Sequence, residues 1–252
     1  MIIVSCCNRD GGIFTIDEDN LKVKKVITRE TRGVDIDGDI LYACSSDGLQ
    51  VYDEGFNLIN KLHIPNDWHG LRIYNNKICA LVANKDTLFM FLKDMTPKGS
   101  VSMRYGDSKE GRNHINDLFF YGGSSFFSMF SAEARPNYTK GDGCIKNDTG
   151  SSKTVISGLV QPHTPYVYEG ELYYCNSAKG TVEKEGEVLF STGSYPRGIE
   201  ITKKYMWVGC SENKHDHTKG ECGIVRLSRE GDSVFIPLPA HEVYGIVRRG
   251  GA

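Results

Sequence analysis

The chain has 252 residues and a formal net charge of −2. A length of this order suits one or two domains, and the near-neutral balance excludes the broad attraction to nucleic acid or anionic membrane that a basic chain would show. The opening MIIVSCCNRDGG has no basic stretch before an apolar run too short for a signal sequence or membrane span, so a cytoplasmic location is expected.

In chain order, Ile2 to Cys6 reads as a strand, Ile13 to Asp17 as its neighbour across Asp10-Gly11-Gly12, and Val23 to Ile27 as a third. Every later unit offers four. A second unit runs from Arg32 to Ile64, with strands near Val34-Ile36, Ile40-Cys44, Leu49-Tyr52 and Leu58-His63. A third runs from His69 to about Met103, and a fourth from His114 to Ile156 with a polar insertion at Ala134 to Gly143. The fifth, His163 to Phe190, is the most compact; its QPHTPYVYEGELYYCNSAKG shows the repeat at its clearest: a polar lead-in, a strand, a Glu169-Gly170 turn, a second strand ending at Cys175, and small polar residues. The sixth, Arg197 to Ile236, carries a second insertion, Ser211 to Glu221.

The missing strand of the first unit lies at the far end of the chain. His241 to Arg248, HEVYGIVR, has the lead-in and first-strand pattern. Pairing it with the opening three strands leaves no open edge. The spacing therefore predicts one domain, 1–252, of the all-β class: a six-bladed β-propeller with four-stranded blades of roughly 40 residues each, closed by its C-terminal strand. A two-sheet sandwich is also all-β but does not account for a split first unit. Eight cysteines without a CxxC pair, several at equivalent repeat positions, read as buried thiols in a reducing compartment.

In a propeller the first strand of each blade lines the central channel, so residues just before first strands ring one mouth. These are Arg32, His69, His114 with Asn116, His163, Arg197, and His241 with Glu242 and Tyr244. Turns after second strands reach the same mouth with Asn8 and Arg9, Ser45, Asn84, Ser128, Asn176 and Ser211, and both insertions overhang it. Four of the seven histidines fall in this set. Imidazoles gathered there can serve as acid and base or hold a divalent metal ion. His69, His114, His163 and His241 are thus the candidate catalytic residues, the first three also metal ligands. Arg32 and Arg197 suit a carboxylate or phosphate, with Asn8, Asn116, Asn176 and Tyr244 as further ligand contacts. The same residues have a plainer use, hydrogen-bonding the loops of neighbouring blades. His215 and His217 read as part of a solvated loop.

VSCCNRDGGIFTID, QPHTPYVYEGELYYCNSAKG, SYPRGIEI and ECGIVRLS together resemble an uncharacterised bacterial family, a propeller-like domain of unknown function of the 4915 type. His163 and Pro165 match its Pro-His-Ser-Pro-Arg motif, whereas Thr164, Tyr166 and Asn176 depart from its Ser, Arg and Asp. The resemblance implies a fold rather than a reaction. In architecture the chain is also similar to streptogramin-type and oligogalacturonate lyases, which implies histidines and a divalent metal at a channel mouth. Two functions stay open: a metal-assisted lyase or hydrolase acting on an anionic small molecule or glycan, and a non-catalytic ligand- or protein-binding module. A monomer without nucleic-acid or membrane partners is expected in either case.

Overall fold

A computed structural model describes residues 1–8, 10–105, 112–133, 141–149, 152–212 and 220–250. Arg9, His215, His217 and the central parts of both insertions lie outside the described residues. The fold is all-β, of the six-bladed propeller class: six sheets, each of four antiparallel strands. Among the described residues the only helical pieces are two short 3-10 turns, Ala83–Lys85 and Ser177–Lys179. The chain divides into two compact units, Met1–Asn66 with Thr192–Ala252, and Asp67–Ser191.

The first unit holds three sheets. One is β1 (Ile2–Cys7), β2 (Gly12–Ile16) and β3 (Val23–Ile27), completed by β24 (Glu242–Arg248) in the order β24-β1-β2-β3. The final strand therefore pairs where the three-strand count of the opening unit placed it, with Ile2 opposite Arg248 and Cys7 opposite Glu242. The others are β4 to β7 (Val34–Asp37, Ile40–Ser45, Gly48–Tyr52, Leu58–His63) and β20 to β23 (Tyr195–Ile201, Tyr205–Ser211, Gly223–Ser228, Ser233–Pro237). Strand β1 is buried throughout, and its alternation serves two cores. Ile2, Val4 and Cys6 pack with Trp207, Ile224 and Ile236, while Ile3 packs with Val34, Leu41 and Ala43. Period-2 geometry sends alternate residues to opposite faces, so one apolar run cements two neighbouring sheets. Each such Ile or Val contributes about 1.5–3 kcal/mol when buried.

The second unit also holds three sheets: β8 to β11 (Trp68–Tyr74, Lys77–Val82, Thr87–Leu92, Pro97–Ser102), β12 to β15 (Ile115–Tyr121, Ser124–Met129, Gly143–Asp148, Ser152–Leu159) and β16 to β19 (Pro162–Tyr168, Glu171–Asn176, Thr181–Lys184, Glu187–Ser191). Its middle sheet is two-faced in the same way. Leu118, Phe127 and Met129 pack with Cys79, Leu81 and Leu88, and Ile145 with Val167, Leu172 and Tyr174. The first hairpins of its three sheets turn at Asn75-Asn76, Gly122-Gly123 and Glu169-Gly170, all with positive φ. Two consecutive left-handed residues make the turn whose twist matches the flanking strands, which is why Asn and Gly recur there.

Candidate functional site

The lead-ins share one backbone device. Pairing of first with second strands breaks register between Trp68 and Leu71, Ile115 and Asp117, His163 and Tyr166, and Pro196 and Ile199. On the β1 side of β24, Ser5 faces Gly245 while Cys6 faces Val243, leaving Tyr244 in the break. Arg32 and Gly33 together oppose Cys44, whose carbonyl and N–H they engage at 2.8 and 2.9 Å. A bulge of this kind redirects a side chain out of the strand alternation. His69, Asn116, Thr164, Arg197, Tyr244 and Arg32 all occupy such positions. The motif explains Gly70, Gly198 and Gly245 too. A Cβ on Gly70 would meet Asp117 Oδ1 at 2.8 Å, and one on Gly198 would meet Ile246 Cγ1 at 3.0 Å.

In the second unit the three predicted histidines are near one another but packed as a row. The His69 ring meets His114 edge-on at 5.3 Å, His114 stacks on Phe130 at 4.5 Å, and Phe130 meets His163 edge-on at 5.2 Å. Asp67 Oδ1 lies 3.2 Å from His69 Nε2. His163, only 1% exposed, has its Nδ1 2.8 Å from Ser177 Oγ. The backbone beneath His114 is fixed by Asp86, whose carboxylate accepts the N–H groups of Asn113 at 2.8 Å and Ile115 at 3.1 Å. Burial pushes the Asp86 carboxyl above its ordinary value, and those backbone donors, with that of His114, oppose the shift.

His69, His114 and His163 are the expected metal ligands. A resident divalent ion needs three or more donor atoms aimed at one point about 2.0–2.2 Å away. Here one nitrogen each of His69 and His163 is engaged by Asp67 or Ser177, and among the described residues no group of three or more His, Cys, Asp or Glu is placed to hold a metal. Two predicted ligand contacts in this unit also hydrogen-bond within the fold. Asn176 accepts the Val160 N–H at 2.9 Å and donates to Glu183 at 2.9 Å. Asn116 accepts from Ser128 Oγ at 2.6 Å and donates to the Pro162 carbonyl at 3.2 Å, tying the middle sheet to its neighbour. Both amides are buried with donor and acceptor ends in use, which leaves a ligand little to bind.

The first unit contains Arg32, Arg197, Asn8, Tyr244 and His241, and here the closing strand brings distant residues together. Arg197 is 4% exposed. Its Nη1 donates to Glu242 Oε1 at 3.1 Å, and the guanidinium lies over the Tyr244 ring, 3.3 Å from the centroid. The other Glu242 oxygen accepts a hydrogen bond from Asn8 Nδ2. Burial disfavours the charged guanidinium, but Tyr244 and Glu242 outweigh it and hold the Arg197 pKa above its ordinary value. Burial pushes the Tyr244 phenol well up, and Arg197 and Arg32 pull it back. Among the described residues Arg197 Nε and Nη2 have no hydrogen-bond partner. Two buried donors of a cation left this way cost far more than neutral ones, the usual sign of a polar ligand or water. Arg32 donates from Nε to Glu30 at 3.1 Å.

Next to Glu242, His241 is exposed and bracketed by acids: Nδ1 is 3.0 Å from Glu212 Oε1 and Nε2 is 3.7 Å from Asp10 Oδ2. It lines an open cleft of about 530 Å³ with Asp10, Lys25 and the Leu238-Pro239-Ala240 segment. Such a cleft is large enough for a small ligand. Lys25 Nζ donates to the Asp10 carbonyl at 2.8 Å, so its charge sits at the rim. Asp10, Lys25, Glu212, Asp67 and Asp86 were not singled out as site residues in the sequence. Glu212 follows Ser211 at the end of a second strand and Asp10 lies in the β1–β2 turn near Asn8, so both acids stand beside positions that the repeat pattern marks.

The family described as "Domain of unknown function (DUF4915)" matches residues 108–243. No curated protein matches the chain. Among solved structures, the chain is similar to a luciferin-regenerating enzyme (TM-score 0.62, 16% identity, 85% of this chain and 78% of that one). It is also similar to a chain of a nidogen/laminin complex (0.71, 12%, 97% and 96%) and to streptogramin B lyase (0.57, 12%, 96% and 86%). At these identities the likeness is one of fold, and the fold hosts both enzymes and a partner in a protein complex.

Proposed function

The chain belongs to this family of unknown function, and from that premise we propose that it acts on an anionic small molecule or glycan as a lyase or hydrolase, with the working site in the first unit around His241. The observation that carries the reading is His241 on the wall of a cleft with a carboxylate at each ring nitrogen. Glu212 on Nδ1 orients the imidazole, as an orienting carboxylate does for a general base. Nε2 faces Asp10 and the cleft, where it takes a proton from carbon or water and returns it to a leaving oxygen. Lys25 at the rim supplies the positive charge for an anionic ligand, and Arg197, buried and paired with Glu242 outside the cleft lining, has two donors without a partner among the described residues, a separate sign of a polar ligand in this unit. The likeness to two propeller enzymes is compatible with a reaction on this fold.

The test is turnover and calorimetric binding with uronate oligomers and sugar lactones as probes. Removal of a general base costs about 10²–10⁴ in rate, so His241→Ala is expected to lose at least a hundredfold in kcat with KM little changed. Arg197→Gln is expected to weaken binding of the charged probe. Tight binding that is unchanged in both variants, without turnover, favours the second reading, a non-catalytic binding module. That reading is supported by the similarity to a chain of a nidogen/laminin complex and by the closed packing of the other three histidines.

A further inference from the structure

The sheet β20–β23 presents a second cleft at the end away from His241. Antiparallel order puts the β20–β21 and β22–β23 turns at one end of this sheet and Glu212, which follows β21, at the other. Between those two turns lies a cleft of about 560 Å³ bearing four cations, Lys203, Lys204, Arg226 and Arg229, against two carboxylates, Glu230 and Asp232. The volume suits a small metabolite.

The cations divide into a fixed pair and a reaching pair. Arg226 donates from Nη1 to the Glu18 carbonyl at 3.0 Å and lies 4.4 Å over the Tyr205 ring and 5.7 Å from that of Trp207. Among the described residues its partners are thus a neutral carbonyl and ring faces, which hold the guanidinium in place and leave its charge uncancelled. Arg229 donates from Nη2 to the Thr202 carbonyl at 3.2 Å, bridging the two turns. Lys203 and Lys204 are exposed, and their ammonium groups make no hydrogen bond or ion pair among the described residues. Two guanidiniums held by carbonyls, together with two exposed ammoniums in one cleft, are donors suited to a phosphate: planar forks and point charges.

We propose that this cleft binds a phosphorylated sugar. The surplus of two positive charges matches a phosphate monoester, which carries about −1.5 to −2 near neutral pH. A simple carboxylate would leave half of the surplus uncompensated. Glu230 and Asp232 are acceptors only when ionised. They would repel the phosphate but accept hydrogen bonds from hydroxyl groups on the body of the ligand, so a polyol carrying one phosphate uses every charged group of the cleft. The tyrosine ring under Arg226 keeps that guanidinium from turning away.

Calorimetric titration of the full chain with glucose 6-phosphate, glucose and inorganic phosphate tests the assignment. Glucose 6-phosphate is expected to bind, more weakly as salt is raised, while glucose does not and inorganic phosphate binds at least tenfold more weakly. Lys203→Glu with Lys204→Glu, both at exposed turn positions, is expected to reduce affinity at least tenfold, and Arg226→Lys serves as a second variant that keeps the charge but loses the fork. Inorganic phosphate binding as well as the sugar phosphate, or affinity unchanged in the lysine variant, overturns the proposal. So does no binding of glucose 6-phosphate while a glutamate-rich peptide binds, a result that would give the cleft to a protein partner. Because His241 lies at the other end of the sheet, turnover at its cleft stays intact in the lysine variant, so failure of one assignment leaves the other standing.

Discussion

Gly209→Ala probes the packing that sets the Arg197 lead-in. Gly209 sits on β21 opposite the bulge between Pro196 and Ile199. A Cβ there would lie 2.1 Å from the Arg197 carbonyl oxygen, 2.4 Å from Val243 Cγ1 and 2.9 Å from Val243 Cβ. Contacts below 3.0 Å force a shift, and the nearest atom is backbone, so no rotamer change relieves it. Overpacking costs about 1–3 kcal/mol where side chains can yield; with a carbonyl in the way the expected cost is at the top of that range, about 3 kcal/mol. For a chain of this size 1 kcal/mol moves Tm by about 2–4 °C, so thermal unfolding followed by circular dichroism should show a fall of about 6–12 °C. The second variant separates the two obstacles. Adding Val243→Ala removes the methyl contact but not the carbonyl one, and is expected to recover little. A fall under about 2 °C, or full rescue by Val243→Ala, refutes the reasoning, since either means that β20 and β24 have room to move apart.

Asn176→Ala should leave the buried Glu183 and the Val160 N–H each short of a partner and cost about 1–3 kcal/mol for each group, read as a lower Tm with ligand affinity at the His241 cleft unchanged. Burial pushes the Cys210 thiol up to about 12 and the Cys79 and Cys144 thiols to about 11, and all eight cysteines are buried thiols outside any disulfide. A thiol-specific chromogenic reagent at pH 8 is therefore expected to react with none in the native chain and with all eight after unfolding, and rapid stoichiometric labelling of the native chain would contradict this. The Asp53 carboxyl is held below its ordinary value first by the Asn57 side-chain amide and then by the Asn57 backbone N–H. A lowered folded pKa gives stability that is present above the unfolded value and lost as pH falls through the folded one. Carboxyl NMR titration should place Asp53 low in the native chain and nearer the ordinary range in Asn57→Ala.

The blade architecture was legible because its signals are local and repeated. Alternating strands, left-handed turn residues and a three-strand first unit each follow from short-range backbone preferences. Together they left HEVYGIVR with only one place to pair. The site was less legible because the lead-in positions were read as a list of side chains, while the structure sorts them by what lies opposite. His114 and His163 share a lead-in pattern with His241, yet Phe130 and Ser177 close over the first two and acids flank the third. Phe130 sits beside an insertion and Ser177 begins a 3-10 turn, so neither contact has a signature in the spacing of the histidines themselves.

A signal for the bulges was nonetheless present. Arg32, His69, Arg197 and Tyr244 are each followed by glycine, and a strand glycine marks close backbone approach. Three of these glycines face a neighbouring sheet: Gly70 meets Asp117 and Leu118, Gly198 meets Ile246, and Gly245 meets Val34. The glycine brings the next sheet in against the bulge, and the bulge turns the preceding side chain out of the alternation. A large polar residue just before such a glycine is thereby aimed by the packing itself. Whether it then serves the fold or a ligand depends on the groups waiting for it. For Arg197 these are, among the described residues, one carboxylate and one ring, too few for a guanidinium with five N–H donors. That deficit distinguishes Arg197 from the satisfied Asn116 on an equivalent bulge, and it is the physical reason to look for a ligand in the first unit rather than along the histidine row of the second.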